Sequence, residues 1–261
     1  MSKRWLYILL FSFIIFGGSF LIRRFLYLER KAMEKAKQEF LATLSHEIKN
    51  PLAALKEGLN LLSNQWEVLT PAARSKGFLA CLIASKRLET ILNNLLLISQ
   101  EKDLYFKKDR DLQSFEELIE LAVAEFLPLA EKKGMKINIS SNDHRPFNFS
   151  WNGMIQVFEN LILNAIKYGY EKSEIQIEVV RKSFPISGLE VCVKNKGDLI
   201  PFSEMKEIFK RFYRGSNRGN KQGLGIGLYV VKKIIEAHQG EIHATSMNGE
   251  NCFYFWLPET S

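Results

Sequence analysis

Residues 40–55 read FLATLSHEIKNPLAAL, and around them Leu41, Leu44, Ile48, Leu52, Leu55, Leu59 and Leu62 recur in steps of three and four. That spacing puts them on one face of a helix at close to heptad register. No glycine occurs between Gly18 and Gly58 and the sole proline is Pro51, so one long helix is predicted over 23–65. Ser63-Asn64-Gln65 and Thr70-Pro71 interrupt it. Proline at a first helical position opens the next helix, predicted to run to about Gln100 with Leu88, Ile91, Leu95 and Ile98 on one face. Two such helices joined by a short loop form a hairpin. One hairpin cannot cover stripes this wide, so two copies are expected to form a dimeric four-helix bundle, a homodimer.

Toward the N-terminus, residues 5–22 read WLYILLFSFIIFGGSFLI and carry no charge. Eighteen residues at ~1.5 Å each reach about 27 Å, enough to cross a bilayer. A buried core helix and a cleaved signal peptide are the competing readings, but the run is long for a signal and no A-x-A-like site follows it. Lys3 and Arg4 precede the run, whereas Arg23, Arg24, Arg30, Lys31, Lys35 and Lys37 follow it. This asymmetry predicts a single pass through the inner (cytoplasmic) membrane, in contact with membrane lipid, with the rest of the chain in the cytoplasm. Only four residues precede the span, so no sensor domain is expected ahead of it.

Toward the C-terminus the pattern changes after a polar stretch from Gln100 to Asp111. A helix (114–132), the strand MKINIS, a helix (151–168), the strands IQIEVV and LEVCVKN, a helix (226–238) and the strands EIHATSM and NCFYFWL are predicted. Such an order suggests a sheet covered on one face by helices. The expected class is therefore α+β: a transmembrane anchor and juxtamembrane helix (1–32), a helical hairpin (33–101) and an α/β sandwich (112–258).

The chain has 261 residues, 46% of them apolar and 25% charged, as in ordinary folded proteins. Its net charge of +7 gathers near the N-terminus and over residues 206–221. That distribution suits an anionic membrane surface and a polyphosphate at least as well as nucleic acid. Cys81, Cys192 and Cys252 show no CxxC and no paired spacing, so neither a disulfide nor a zinc site is expected and a reducing compartment fits.

Four stretches carry chemistry. In the first, His46 lies mid-helix on the polar side, and its neighbour Glu47 is placed to hold one ring nitrogen as N–H, freeing the other as a nucleophile. Asn50 follows one turn later, and Pro51 removes a helical hydrogen bond beside the reactive residue. An ordinary surface histidine is the bland alternative. A zinc site of H-E-x-x-H type fails, since position 50 is Asn. In the second, QVFENLILNAIKYG (156–169), Asn160 and Asn164 face one way with Lys167 beyond. Amide oxygens suit Mg²⁺ and a lysine suits a phosphate, though merely solvated amides would look the same. The third, VCVKNKGDLIP (191–201), is a strand entering a turn at Gly197. In the fourth, IFKRFYRG (208–215) is followed by QGLGIGLYVVKKIIEAHQGEI, where Gly223, Gly225 and Gly227 open a helix whose N–H groups can cradle phosphates. This is neither the dinucleotide fingerprint nor a P-loop. Lys210–Gln222 between them reads as a lid over a triphosphate, or as a solvated basic loop.

SHEIKNPLAAL resembles the phosphoacceptor box of the sensor histidine kinases of two-component systems. NLxxNAxKY (Asn160, Asn164, Lys167, Tyr168) resembles their N box, shared with gyrase and Hsp90. Phe209, Phe212 and Arg214 resemble the F box, and Gly223, Leu224, Gly225 and Gly227 the second glycine box. The resemblance spans about residues 33–258. It implies that His46 is phosphorylated from ATP with Mg²⁺ on Asn164, that Glu47 orients or accepts the imidazole proton, and that a response regulator's aspartate receives the phosphoryl group. It also implies that Asn50 positions water for the reverse, phosphatase reaction. The family's usual D-x-G-x-G becomes Asn195-Lys196-Gly197-Asp198-Leu199 here, so the residue matching the adenine-binding Asp is Asn195 and Leu199 replaces the second glycine. Other readings stay open: another ATPase of the same superfamily, a scaffold that binds ATP poorly, and a nucleic-acid-binding membrane protein. No nucleic-acid partner is expected, since no aromatic-interleaved basic face accompanies the loop.

Overall fold

The computed structural model describes residues 3–99, 110–142, 144–183, 187–216 and 223–259, with the side chains of residues 3–19, 21, 22 and 96–99 among those left outside the description. The chain divides into two units, 1–45 and 46–261. The first unit is the leading part of helix α1 (Lys3–Asn64). The span expected at 5–22 lies in the first part of α1, where the side chains other than that of Phe20 fall outside the description; among the described residues, no helix is long and apolar enough to cross a membrane.

In the second unit the remainder of α1 turns into α2 (Pro71–Ser99). Thr70 caps that turn, its Oγ1 accepting from the Ala73 N–H at 3.2 Å. Trp66 packs edge-on against Phe78 at 6.1 Å under the Arg74 guanidinium. Small residues let the two helices close: a β-carbon on Gly58 would fall 2.5 Å from Cys81 Sγ. Leu62, Cys81, Ala84 and Ile91 are buried, whereas Leu52, Leu59, Leu79, Leu82, Ile83 and Leu92 remain exposed.

Beyond the hairpin come β1 (Arg110–Gln113), α3 (Phe115–Lys132), β2 (Lys136–Ser141), β3 (Phe147–Ser150), α4 (Trp151–Tyr168), β4 (Glu174–Lys182), β5 (Gly188–Lys196), α5 (Gly227–Ala237), β6 (Glu241–Met247) and β7 (Glu250–Pro258). Five strands form one sheet in the order β2-β4-β5-β7-β6, with β2 and β4 parallel and the other pairs antiparallel. Alternation sends Ile177, Val193 and Phe253, partners in one cross-strand row, to the same covered face. They meet Leu118, Ile119, Val157, Phe158, Leu161, Val231 and Ile234 from the three helices. Ser114 and Ser150 cap α3 and α4. The expected sandwich is present, but β1 and β3, paired antiparallel as a separate ribbon, were not foreseen. At four residues each they are too short for alternation to stand out.

One expectation is overturned. Cys192 and Cys252 are joined as a disulfide. Their separation of 60 residues hides the pairing, but β5 and β7 are neighbours, with Cys192 opposite Tyr254 and Lys194 opposite Cys252. Both sulfurs lie on the face away from the helices, one diagonal step apart.

His238, at the end of α5, is buried and ties the ribbon to the sandwich. Its Nε2 accepts from the Ser150 N–H at 3.0 Å, and its Nδ1 sits 2.7 Å from the Ile234 carbonyl, which fixes a neutral Nδ1–H tautomer. Burial lowers its pKa to about 4, Arg110 adding to the effect against the Ile234 hydrogen bond. The unfolded chain thus takes up this proton at higher pH than the folded one. Stability is complete above the ordinary value of 6.5 and falls as the pH drops toward about 4, by about 3 kcal/mol in all. Urea midpoints of the full chain measured across that range should show this acid limb, and His238→Gln should flatten it.

Candidate active site

The four stretches are brought together unequally. Asn160, Asn164, Lys167 and Tyr168 lie along the last turns of α4, all half-buried. The Asn160 amide nitrogen donates to the Gln156 carbonyl at 2.8 Å, so Oδ1 is turned outward as an acceptor. It faces the start of α5: a β-carbon on Gly227 would fall 2.6 Å from it. Lys167 reaches across in the same way, its ammonium 2.6 Å from where a β-carbon of Gly223 would stand, and it also lies 5.1 Å from the Tyr168 ring. Gly225 has φ +68 and packs against the Tyr213 carbonyl and the Arg214 stem, so a side chain there is excluded twice. Leu224 is half-buried between these glycines. Of the three glycines only Gly227 is helical; Gly223 and Gly225 belong to the loop ahead of α5, which corrects the expectation that all three open the helix.

The aromatics of the fourth stretch lie beneath the site. Phe209 belongs to the core and meets Phe253 edge-on at 6.5 Å. Phe212 is buried with φ +67, and the Arg211 guanidinium lies 4.6 Å from its ring. The loop expected as a lid is described up to Ser216, whose N–H bonds the Glu204 carboxylate; its remainder, 217–222, lies outside the described residues.

At the far end of α4, Gly169 and Gly197 form an isolated bridge, and a β-carbon on Gly197 would fall 2.6 Å from the Tyr168 carbonyl oxygen. Asn195 occupies the covered face of β5, in one row with Ile175 and Asn251. The two amides differ. Asn251 Oδ1 accepts from Ser246 and from the Ile200 N–H, and its nitrogen donates to the Asp198 carbonyl. Asn195 is only 3% exposed, yet among the described residues its amide nitrogen has no hydrogen-bond partner.

His46 projects from α1 into solvent and, among the described residues, its ring makes no hydrogen bond. The expected contact with Glu47 is not formed. Glu47 is 7% exposed and turned into the hairpin, where it accepts from Arg87 of α2 at 2.8 Å. Adjacent helical residues point about 100° apart, so they do not face each other. Asn50 is exposed. Arg87 had no local signal, since it lies 40 residues away across the hairpin. Sequence reasoning also passed over Gln156 and Glu159. Gln156 donates to Asn94 of α2 at 2.9 Å, and Lys86 pairs with Glu125, so α2 rests against this face of the sandwich. Glu159, next to Asn160, is pushed up to about 7 by burial, with Glu125 and Glu89 raising it and Lys86 opposing.

The cleft between α4 and the glycine loop thus pairs the outward Asn160 amide oxygen and the Lys167 ammonium with a glycine backbone, an arrangement for a triphosphate and its counter-ion. Residues 36–103 match the His Kinase A (phospho-acceptor) domain, and residues 151–261 match the histidine kinase-, DNA gyrase B- and HSP90-like ATPase domain. The chain thus carries the phospho-acceptor and ATPase domains found together in the sensor histidine kinases of two-component systems. Among relatives, the sensor protein VanSC of Enterococcus gallinarum is 27% identical over 231 residues, covering 88% of this chain and 63% of that protein. The chain therefore spans less than two thirds of that relative. The catalytic domain of the histidine kinase ThkA superposes with TM-score 0.52 at 25% identity, covering 58% of this chain and 96% of that one. ThkA solved in complex with the response regulator protein TrrA superposes with TM-score 0.56 at 23% identity, covering 85% and 61%.

Proposed function

We propose that the chain is a membrane-anchored sensor histidine kinase that moves the γ-phosphoryl group of ATP to His46 and then to an aspartate of a cognate response regulator. The observation that carries this is the pairing of Asn160 with Gly227 and of Lys167 with Gly223 in one cleft, on a chain whose hairpin presents a solvent-exposed His46. The hairpin (about 33–101) receives the phosphoryl group and the sandwich (about 112–258) delivers it.

Lys167 and the N–H groups of the glycine loop hold the triphosphate, while Tyr168, Leu224 and Arg214 line its approach. Phe209 and Phe212 support the loop from below, and Asn195 and Gly197 form the base end. Asn164 and Asn160 would hold Mg²⁺, which would supply charge neutralisation of the phosphate oxygens. A ring nitrogen of His46 attacks the γ-phosphorus in line, the bond to the bridging oxygen breaks, and ADP leaves with that electron pair. The ring's remaining N–H proton is released to solvent, which His46 faces, because Arg87 holds Glu47 turned into the hairpin. The barrier falls mainly through positioning and charge. In the reverse direction Asn50 positions the water that releases phosphate from the regulator. Residues 5–22 anchor the chain in the inner membrane with the catalytic part in the cytoplasm.

Incubating the full chain with labelled MgATP should give acid-labile, alkali-stable label on the protein that a response regulator removes. An ATPase of another kind would hydrolyse ATP without labelling itself, and a silent scaffold would do neither. The exposed stripe of Leu52, Leu59, Leu79, Leu82, Ile83 and Leu92 supports a homodimer through the hairpin. Light scattering of the full chain in detergent should give twice the protomer mass, and a monomer at tens of micromolar contradicts this.

A further inference from the structure

The base end of the site departs from an acceptor-only design. Alternation along β5 places Asn195 in the inward row that Val191 and Val193 begin, so its side chain is buried against the bridge between Gly169 and Gly197. The point where a β-carbon of Gly197 would stand lies 3.1 Å from Asn195 Nδ2, which puts the amide nitrogen against the turn at the end of the strand. The partner across the sheet, Asn251, spends both ends of its amide on Ser246, Ile200 and Asp198. Among the described residues, Asn195 Nδ2 has no hydrogen-bond partner. A buried N–H donor is therefore held ready at the place where the proposed nucleotide presents its base, and buried donors are almost always paired in a working state.

The chemistry of purines decides what can meet it. A carboxylate at this position only accepts, so it takes the adenine amino group and repels the carbonyl of a 6-oxopurine. An amide offers an acceptor and a donor side by side. Turned one way, Oδ1 accepts from the adenine amino group while Nδ2 donates to ring N1. Turned the other way, Nδ2 donates to O6 of guanine or hypoxanthine while Oδ1 accepts from N1–H. We propose that Asn195 sets a relaxed base specificity, so that the site takes 6-oxopurine nucleoside triphosphates as well as ATP. This rests on the kinase reading given above, since it assigns Asn195 to the base end of that site.

Competition of MgATP, MgGTP and MgITP against a fluorescent ATP analogue on the full chain tests it. The three dissociation constants are expected within about tenfold of one another. Asn195→Asp is expected to tighten ATP about fivefold and to weaken GTP and ITP at least tenfold, because a charged acceptor replaces the donor. The ITP arm needs no variant and separates the O6 contact from the 2-amino group of guanine. Tight ATP binding with GTP and ITP more than a hundredfold weaker on the wild-type chain overturns the base-specificity proposal and leaves the kinase reading standing. Binding of none of the three overturns both. An ATP-to-GTP ratio that Asn195→Asp leaves unchanged overturns the role of Asn195.

Discussion

His46→Gln is expected to abolish acid-labile labelling from MgATP while leaving nucleotide affinity unchanged. His46 is exposed and unbonded among the described residues, so the substitution removes a nucleophile and little else. Surface changes of that kind usually alter stability by less than about 0.5 kcal/mol. The amide of Gln keeps polarity and approximate size but has no ring nitrogen with a free lone pair to attack phosphorus. The groups proposed to hold ATP all lie beyond residue 150 in the chain, so Kd for a fluorescent ATP analogue should stay within about twofold. Label is expected to fall to background. Normal labelling of the variant means that another residue accepts the phosphoryl group and removes the hairpin from the mechanism as written.

The contrast between what was legible and what was not follows from the range of each signal. Periodic apolar positions, Thr70-Pro71 and the strand alternation of IQIEVV are local patterns, and they placed the hairpin, α3 to α5 and the five-stranded sheet with little error. The ribbon of β1 and β3 was invisible because four residues carry too little period. The Cys192–Cys252 bridge and the Glu47–Arg87 pair were invisible because they depend on which segments become neighbours in space, at separations of 60 and 40 residues. Adjacency in sequence misled at His46-Glu47, where helical geometry turns the two side chains apart. At the cleft, residue types announced the ligand, but the asymmetry between two amides on one cross-strand row, one satisfied and one not, required the packed strands.

The second large effect belongs to Asn164. It lies one turn beyond Asn160 on α4, half-buried, with its flanking Ala165 and Ile166 in the core. Asn160 has its amide nitrogen committed to the Gln156 carbonyl, which fixes the rotamer of that side chain. Asn164 has no such tie among the described residues, so its amide is available to a ligand. In Asn164→Ala the helix should persist, because alanine is the better helix former and the core-facing residues are untouched. What is lost is an oxygen on the cation that neutralises the triphosphate. A hydrogen bond or ligand contact to a charged group contributes about 1.5–3 kcal/mol, so affinity in Mg²⁺ should fall by about ten- to a hundredfold. The sharper readout is the dependence on the metal itself. In the wild-type chain, chelating Mg²⁺ should weaken binding of the ATP analogue, whereas in Asn164→Ala the curves with and without Mg²⁺ should nearly coincide. A variant that retains both its affinity and its Mg²⁺ dependence would place the cation elsewhere, with Asn160 Oδ1, already turned toward Gly227, as the next oxygen to remove.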